Sequence, residues 1–369
     1  MKTLMEGTAA PQTMNPPAPI AGLPPTVYRI GAFVISLILV ALVIFISGAS
    51  PATVIGRMVG GAFGTADQIG RVIATLSPLL LCAAGLVYTF NAGLYNLGVE
   101  GQITFGAIAA TWTLRLLYPE GATASLLPPP AAIALAILVG GVGGIAWGLL
   151  AGALHVYGRI SEIFAGLGLN FAATGIAIYL IFGPWKRPGV ASLSGTQPFD
   201  ESLWLGTFGR TEATPVALAL GLMALIITIG VMRNTYFGLR LRAVGRNLRA
   251  AYVLGVPARR QLLSAFLICG LFAGVAGALQ VVGVFHRLIP NISSNLGFLG
   301  LLVVMLVNFD PLWILPVAFF FSALNIGSLQ LPLSLGLESS LSGVIQGLLV
   351  LFALLGRGLA QKYGRKPEG

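Results

Sequence analysis

The chain has 369 residues, of which 56% are hydrophobic and only 9% charged, and its mean hydropathy is +0.91. That composition excludes a soluble globular protein, which needs far more charge to solvate its surface. The formal net charge of +10 falls mostly in segments between apolar runs, so it reports membrane orientation and argues against nucleic-acid binding.

Residues 1–28 are rich in Pro and small residues, and the first apolar run begins too late and runs too long for a cleaved signal peptide. They read as a disordered cytoplasmic tail. Residues 29–357 form one transmembrane domain, and 358–369 a second cytoplasmic tail. Apolar runs predict ten spans, at about 30–47, 72–90, 101–118, 131–153, 162–182, 214–232, 261–283, 297–309, 311–329 and 340–356; the eighth is short for a full crossing. The fold class expected is therefore an all-α polytopic membrane protein. Glycine, with 49 residues, suits helices that pack backbone against backbone.

Lys and Arg are retained on the cytoplasmic side. Placing both termini there collects 14 of the 21 basic residues on the inner face, including Arg233, Arg240, Arg242, Arg246, Arg249, Arg259 and Arg260 in one loop and Arg357 just past the last span. The longest outer loop, 183–213, then balances Lys186, Arg187 and Arg210 against Asp200, Glu201 and Glu212. Within it GPWKRPG is stiffened by Pro184 and Pro188, and Trp185 and Trp204 suit a membrane interface.

Polar residues interrupt the apolar pattern at FNAGLYNLGVEGQITFG, residues 90–106, which carries Asn91, Asn96, Glu100 and Gln102. Glycines at 93, 98 and 101 predict a break between the second and third spans, where freed backbone groups need partners within the protein. Glu100 precedes Gly101 at the start of the third span, so it is expected to accept hydrogen bonds at the positive end of that helix. Asn170, Asn308 and Asn325 are further amides within apolar segments. The motif Asn-Leu-Gly-x-x-Gly occurs twice, as NLGVEG at 96–101 and NLGFLG at 295–300. Those positions fall in oppositely oriented halves of a ten-span chain, the arrangement of an inverted five-plus-five repeat with broken helices around a midplane pathway.

No G-x-x-x-x-G-K-[ST] phosphate loop occurs, so ATP hydrolysis is not this chain's work. Acids near the spans are few, chiefly Glu100, Glu162, Asp310 and Glu338, which is thin equipment for ion coupling. Cys82 and Cys269 lie in apolar runs and read as buried hydrophobes. Neither His155 nor His286 has a second ligand nearby in sequence, so no metal site is expected. The inner loop 233–260 holds seven arginines and no acid. Its middle has helical spacing ended by Gly255 and Pro257, predicting a surface helix at about 242–254 that serves as a lipid anchor or as a docking element.

NTYFGLRLRAVGRNLRAAYVLGVPARR resembles the coupling segment of permease subunits of bacterial ABC importers in the branched-chain amino acid and simple-sugar superfamily. FNAGLYNLGVEGQ, GPWKRPG, GTQPF at 195–199 and GLFAGVAGALQVVG at 270–283 are similar to motifs of its nucleoside branch; LGLN at 167–170 and the acid-free NLGFLG depart from the usual pattern. The resemblance implies a multi-pass protein of the bacterial inner (plasma) membrane that imports nucleosides, or a monosaccharide in the runner-up reading; an ion-coupled carrier is the alternative from a different class. It further implies a cytoplasmic ATP-binding cassette ATPase that binds ATP and Mg, a second permease chain, and a periplasmic or lipoprotein solute-binding protein, with no cofactor in this chain. On this reading Arg240, Arg242, Gly245, Arg246, Ala250, Ala251, Gly255 and Pro257 form the ATPase coupling surface. Asn91, Asn96, Glu100, Gln102 and Asn170 then brace the helix break or line the solute pathway.

Overall fold

The computed structural model describes residues 24–119, 127–187, 189, 194–209, 211–336 and 340–363. The expected tails beyond residues 24 and 363, together with Pro188, Arg210 and Glu338, lie outside the described residues. Among the described residues all regular structure is helical. In chain order the α-helices are α1 (Pro25–Ile46), α2 (Pro51–Phe63), α3 (Ala66–Asn91), α4 (Val99–Leu117), α5 (Pro129–Val156), α6 (Glu162–Phe182) and α7 (Pro215–Asn234). They continue with α8 (Tyr236–Arg246), α9 (Leu248–Val253), α10 (Ala258–Leu279), α11 (Leu296–Leu306), α12 (Ile314–Ser328), α13 (Gln330–Leu335) and α14 (Leu341–Tyr363). A π-helical turn, Gln280–Phe285, extends α10.

Eight of these segments are long and apolar enough to cross a membrane, against the ten expected. The two that fall short are α4 and α11. Helix α4 has 19 residues but carries Glu100, Gln102 and Arg115. Helix α11 has 11 residues, about 16 Å of helix against the roughly 30 Å of a hydrocarbon core. Helix α2, with Pro51 at its first turn, went unforeseen because its 13 residues are too short to read as a span.

The core is built where α5, α10 and α4 cross at backbone distance. A Cβ on Gly144 would overlap the Gly270 carbonyl oxygen, one on Gly274 the Gly140 carbonyl oxygen, and one on Gly277 the Ile103 carbonyl oxygen. Lipid tails are as apolar as leucine, so such helices associate through close van der Waals contact, which only glycine permits here. Helix α3, threaded beside α10 and α7, is buried along most of its length and supplies the wall on which the functional elements sit.

Replacing Gly274 by Val is expected to destabilise the detergent-purified protein by about 1–3 kcal/mol or more, the usual effect of overpacking, read as a lowered unfolding midpoint. Gly230→Ala, inside α7 at a site with nothing within 4 Å of an added Cβ, should not lower the midpoint. Equal midpoints for both variants would contradict this packing.

Candidate functional site

The chain leaves α3 at Asn91 and re-enters helix at Val99, so residues 92–98 form the predicted break. Gly93 turns the backbone at φ +79°, a conformation that costs a glycine little. Asn91 Nδ2 donates to the Val87 carbonyl oxygen at 2.9 Å and to that of Phe309 at 3.3 Å, tying the end of α3 to the end of the α11 segment. Asn96 is fully buried. Its Oδ1 accepts from the Gly98 amide at 3.2 Å, and its Nδ2 donates to Gln102 Oε1 at 3.3 Å and to Cys269 Sγ at 3.1 Å. Cys269 lies near the middle of α10. The break thus rises from the end of α3 to the mid-depth of the bundle before α4 begins.

Asn170, from α6, closes the break from the other side. Its Oδ1 accepts from the Gly101 amide at 2.8 Å, and its Nδ2 donates to the Leu97 carbonyl oxygen at 2.7 Å. One side chain therefore satisfies an orphan donor of the α4 first turn and a carbonyl of the non-helical segment, groups that lipid cannot solvate. Gly166 on α6 meets Gly98 so closely that a Cβ there would overlap the Gly98 amide nitrogen. Neither contact is legible from spacing, because α6 is more than sixty residues distant in sequence.

Glu100 does not cap its own helix as expected. Its Oε1 accepts from the Phe298 amide at 2.9 Å, in the first turn of α11, and the side chain is 6% exposed. The reason is geometric: the Gly101 amide already has Asn170, while Gly297 sits directly against Val99 and Glu100 with no Cβ to hold α11 away. The two Asn-Leu-Gly motifs therefore meet face to face. At the other end of α11, Arg357 from α14 donates to the carbonyl oxygens of Met305 and Leu306. A carboxylate at the N-terminus and a guanidinium at the C-terminus both favour the helix dipole, which lets an 11-residue helix stand inside the bundle. Arg357 was read from sequence only as a topology signal.

The two motif copies are otherwise used differently. Asn96 precedes its helix by three residues and is sealed in the core, whereas Asn295 is the residue flanking α11, in the left-handed region at φ 61°, exposed and without a side-chain capping bond.

The arginine-rich loop is not the single helix expected at about 242–254. It bends at Asn247, with φ −157° and ψ 101°, into α8 and α9, and Asn247 Oδ1 accepts from the Ala250 amide at 3.0 Å. Asparagine is a favoured N-cap, and that preference outweighs the helical spacing across it. Gly255, at φ +77°, follows α9 before Pro257 leads into α10. Helix α8 lies on the break itself: a Cβ on Gly245 would overlap the Asn91 carbonyl oxygen and crowd Gly93. Arg240, Arg246 and Ala250 are exposed and Arg242 half-buried, while Ala251 is 2% exposed and belongs to the internal packing. Leu248, Tyr252, Val253 and Leu254 stand out at this corner, the last two about four-fifths exposed at 83% and 79%.

In the opposite loop, Thr196 and Leu288 exchange two hydrogen bonds, and the Phe199 amide donates to the His286 carbonyl oxygen. Trp204 stacks on His286 at 3.9 Å between ring centroids, so it is committed within the chain. Burial pushes the His286 imidazole below its ordinary value, which favours its neutral form against the indole. Among the described residues no cluster of His, Cys, Asp and Glu could hold a metal ion.

Glu100→Ala should destabilise the protein by about 1–3 kcal/mol, because it takes the acceptor from the Phe298 amide in the first turn of α11. Glu100→Gln keeps an acceptor oxygen at that place and should recover most of the loss. Thermal unfolding of both variants in detergent checks this, and equal unfolding midpoints would contradict the brace.

Residues 68–354 match the family model described as branched-chain amino acid transport system / permease component. The chain is 27% identical over 328 residues to the guanosine ABC transporter permease protein NupP of Bacillus subtilis, covering 87% of this chain and 90% of that one. It is 25% identical to the nucleoside ABC transporter permease protein NupB of Lactococcus lactis, covering 80% and 82% of the two chains. It is 27% identical to the glucose ABC transporter permease protein TsgB13 of Haloferax volcanii, covering 79% and 76%. In each of the first two organisms a second permease also matches. The matched region runs from the start of α3 into α14 and takes in both motif copies, the arginine-rich corner and the outer loop, and on that match the chain belongs to the branched-chain amino acid transport system permease family.

Proposed function

We propose that this chain is the permease subunit of an ATP-driven importer that carries nucleosides across the inner membrane. The observation that carries the reading is the contact of Gly245 with Asn91–Gly93. Through it, an arginine-rich corner with exposed apolar residues, suited to a cytoplasmic partner, rests directly on the broken helix inside the bundle. A separate ATPase holds ATP and Mg, docks on Arg240, Arg246, Leu248, Ala250, Tyr252 and Val253, and moves α8 against the break. Both termini are cytoplasmic, and the 183–213 loop faces a solute-binding protein on the other side.

A second permease chain completes the unit, in keeping with the two permeases that match in each of two organisms. Helix α6 offers it an open face, with Phe164, Phe171 and Tyr179 exposed and nothing near an added Cβ on Gly168 or Gly175. Nucleosides are preferred as cargo because the guanosine and nucleoside permeases cover the larger share of this chain. The similarity to TsgB13 keeps a monosaccharide as the second reading.

Two measurements test this. Uptake of labelled guanosine by the assembled complex is expected to require ATP hydrolysis, survive an uncoupler and resist competition by glucose; uncoupler-sensitive uptake would favour an ion-coupled carrier. Ala250→Trp, at an exposed position, should abolish uptake while leaving the amount and unfolding midpoint of the protein unchanged. Full uptake by that variant would rule out docking at this corner.

A further inference from the structure

A cavity of about 500 Å³ opens between the N-terminus of α11, helix α12 and the start of α14, lined among others by Asn295, Phe298, Asn325, Ser328, Ser342 and Gln346. Its volume lies within the roughly 300–1,000 Å³ usual for small-molecule sites. It is polar where its surroundings are not. The neighbouring cavity between α1, α2, α12 and α14 has an entirely apolar lining, as a surface facing lipid tails should.

The decisive feature is hydrogen-bonding capacity left unused. Asn295 makes no side-chain capping bond to α11, and the Asn325 side chain makes no hydrogen bond among the described residues, only its backbone carbonyl accepting, from Ser328 Oγ. Gln346 is 4% exposed, and its Nε2 donates to the Phe321 carbonyl oxygen at 3.4 Å and to Ser342 Oγ at 3.2 Å. Its Oε1 accepts nothing among the described residues. An amide in a membrane-embedded bundle ordinarily finds a partner across helices, because an unsatisfied polar group there costs free energy. Asn96 and Asn170 do so. The side chains of Asn295 and Asn325 do not, and Gln346 does so through its Nε2 alone, which leaves three groups facing the cavity with capacity for something that enters.

The chemistry of the lining specifies what enters. Two amides and a glutamine oxygen offer donors and acceptors without net charge, matching the ring nitrogens, carbonyls and hydroxyls of a neutral polar solute. Phe298 is 39% exposed and supplies an aromatic face for a planar heterocycle, a contact that tolerates any base. The Phe298 amide is the group that Glu100 holds. Glu100, outside the lining, therefore positions the ring that the solute meets. We propose that this cavity is the nucleoside station within the permease, with the base on Phe298 and its edge and sugar hydroxyls read by Asn295, Asn325 and Gln346. This assignment rests on the nucleoside reading above.

The test uses the assembled complex with its ATPase and binding protein. Asn325→Leu and Phe298→Leu should each raise the KM for labelled guanosine about tenfold, the effect of one or two lost contacts. ATP hydrolysis stimulated by the loaded binding protein should persist, and Phe298→Tyr, which keeps the ring, should stay near wild type. Removing Asn325 breaks no internal hydrogen bond, so its unfolding midpoint should hold, whereas a structural amide would lower it. In parallel, Asn325→Cys should react with a water-soluble thiol reagent and be protected by saturating guanosine, against the low background expected of buried Cys82 and Cys269. Wild-type KM and competition profile in both leucine variants, or labelling of the cysteine indifferent to guanosine, overturns the cavity assignment while leaving the importer reading intact. A wild-type complex that carries no nucleoside overturns both.

Discussion

The arrangement depends on one requirement: backbone groups freed inside an apolar bundle must be satisfied by the protein itself. Two helices begin part-way through this bundle, and each exposes the unpaired amides of a first turn. Helix α4 is served by Asn96 and Asn170, and α11 by Glu100, whose Oε1 lies 2.9 Å from the Phe298 amide. A buried carboxylate is expensive in such surroundings unless hydrogen bonds and a favourable dipole offset its desolvation. The meeting of the two motifs provides both.

Glycine makes this geometry attainable. Gly297 lets α11 reach Glu100, Gly98 and Gly166 let α6 reach the break, and Gly245 lets α8 lie on it. The same economy holds α4, α5 and α10 together at Gly144, Gly274 and Gly277. The result is an unbroken series of contacts from the exposed corner at α9, through α8 to Asn91–Gly93, across Glu100 to α11, and so to the polar cavity. A movement imposed at the corner therefore has a rigid route to the cavity, although contiguity alone gives no coupling energy.

Much of the site was visible as chemical incongruity. Asn91, Asn96, Glu100, Gln102 and Asn170 stand out because amides and a carboxylate do not belong in apolar runs, and the seven arginines of 233–260 mark a surface segment. Their partners were not visible. Glu100 and Phe298 are separated by 198 positions, and sequence order suggested that Glu100 would serve the helix it begins. The corner at Asn247 was hidden by a helical pattern running through it, where capping prevails over periodicity. Arg357, which caps α11, looked like one more orienting charge.

Composition and periodicity by themselves determined that the chain is an all-helical membrane protein, roughly where its long helices lie and where polar groups interrupt them. These are local consequences of the solvent, since a bilayer permits few backbone conformations and sorts residues strongly by polarity. Only the tertiary structure decided that α11 is a short helix held at both ends, and which amides are consumed in holding the break. It alone separated those from Asn295 and Asn325, whose side chains make no hydrogen bond among the described residues. Whether an amide is a brace or a site depends on what lies across from it in space, and that neighbour is set by helix packing between segments hundreds of residues apart.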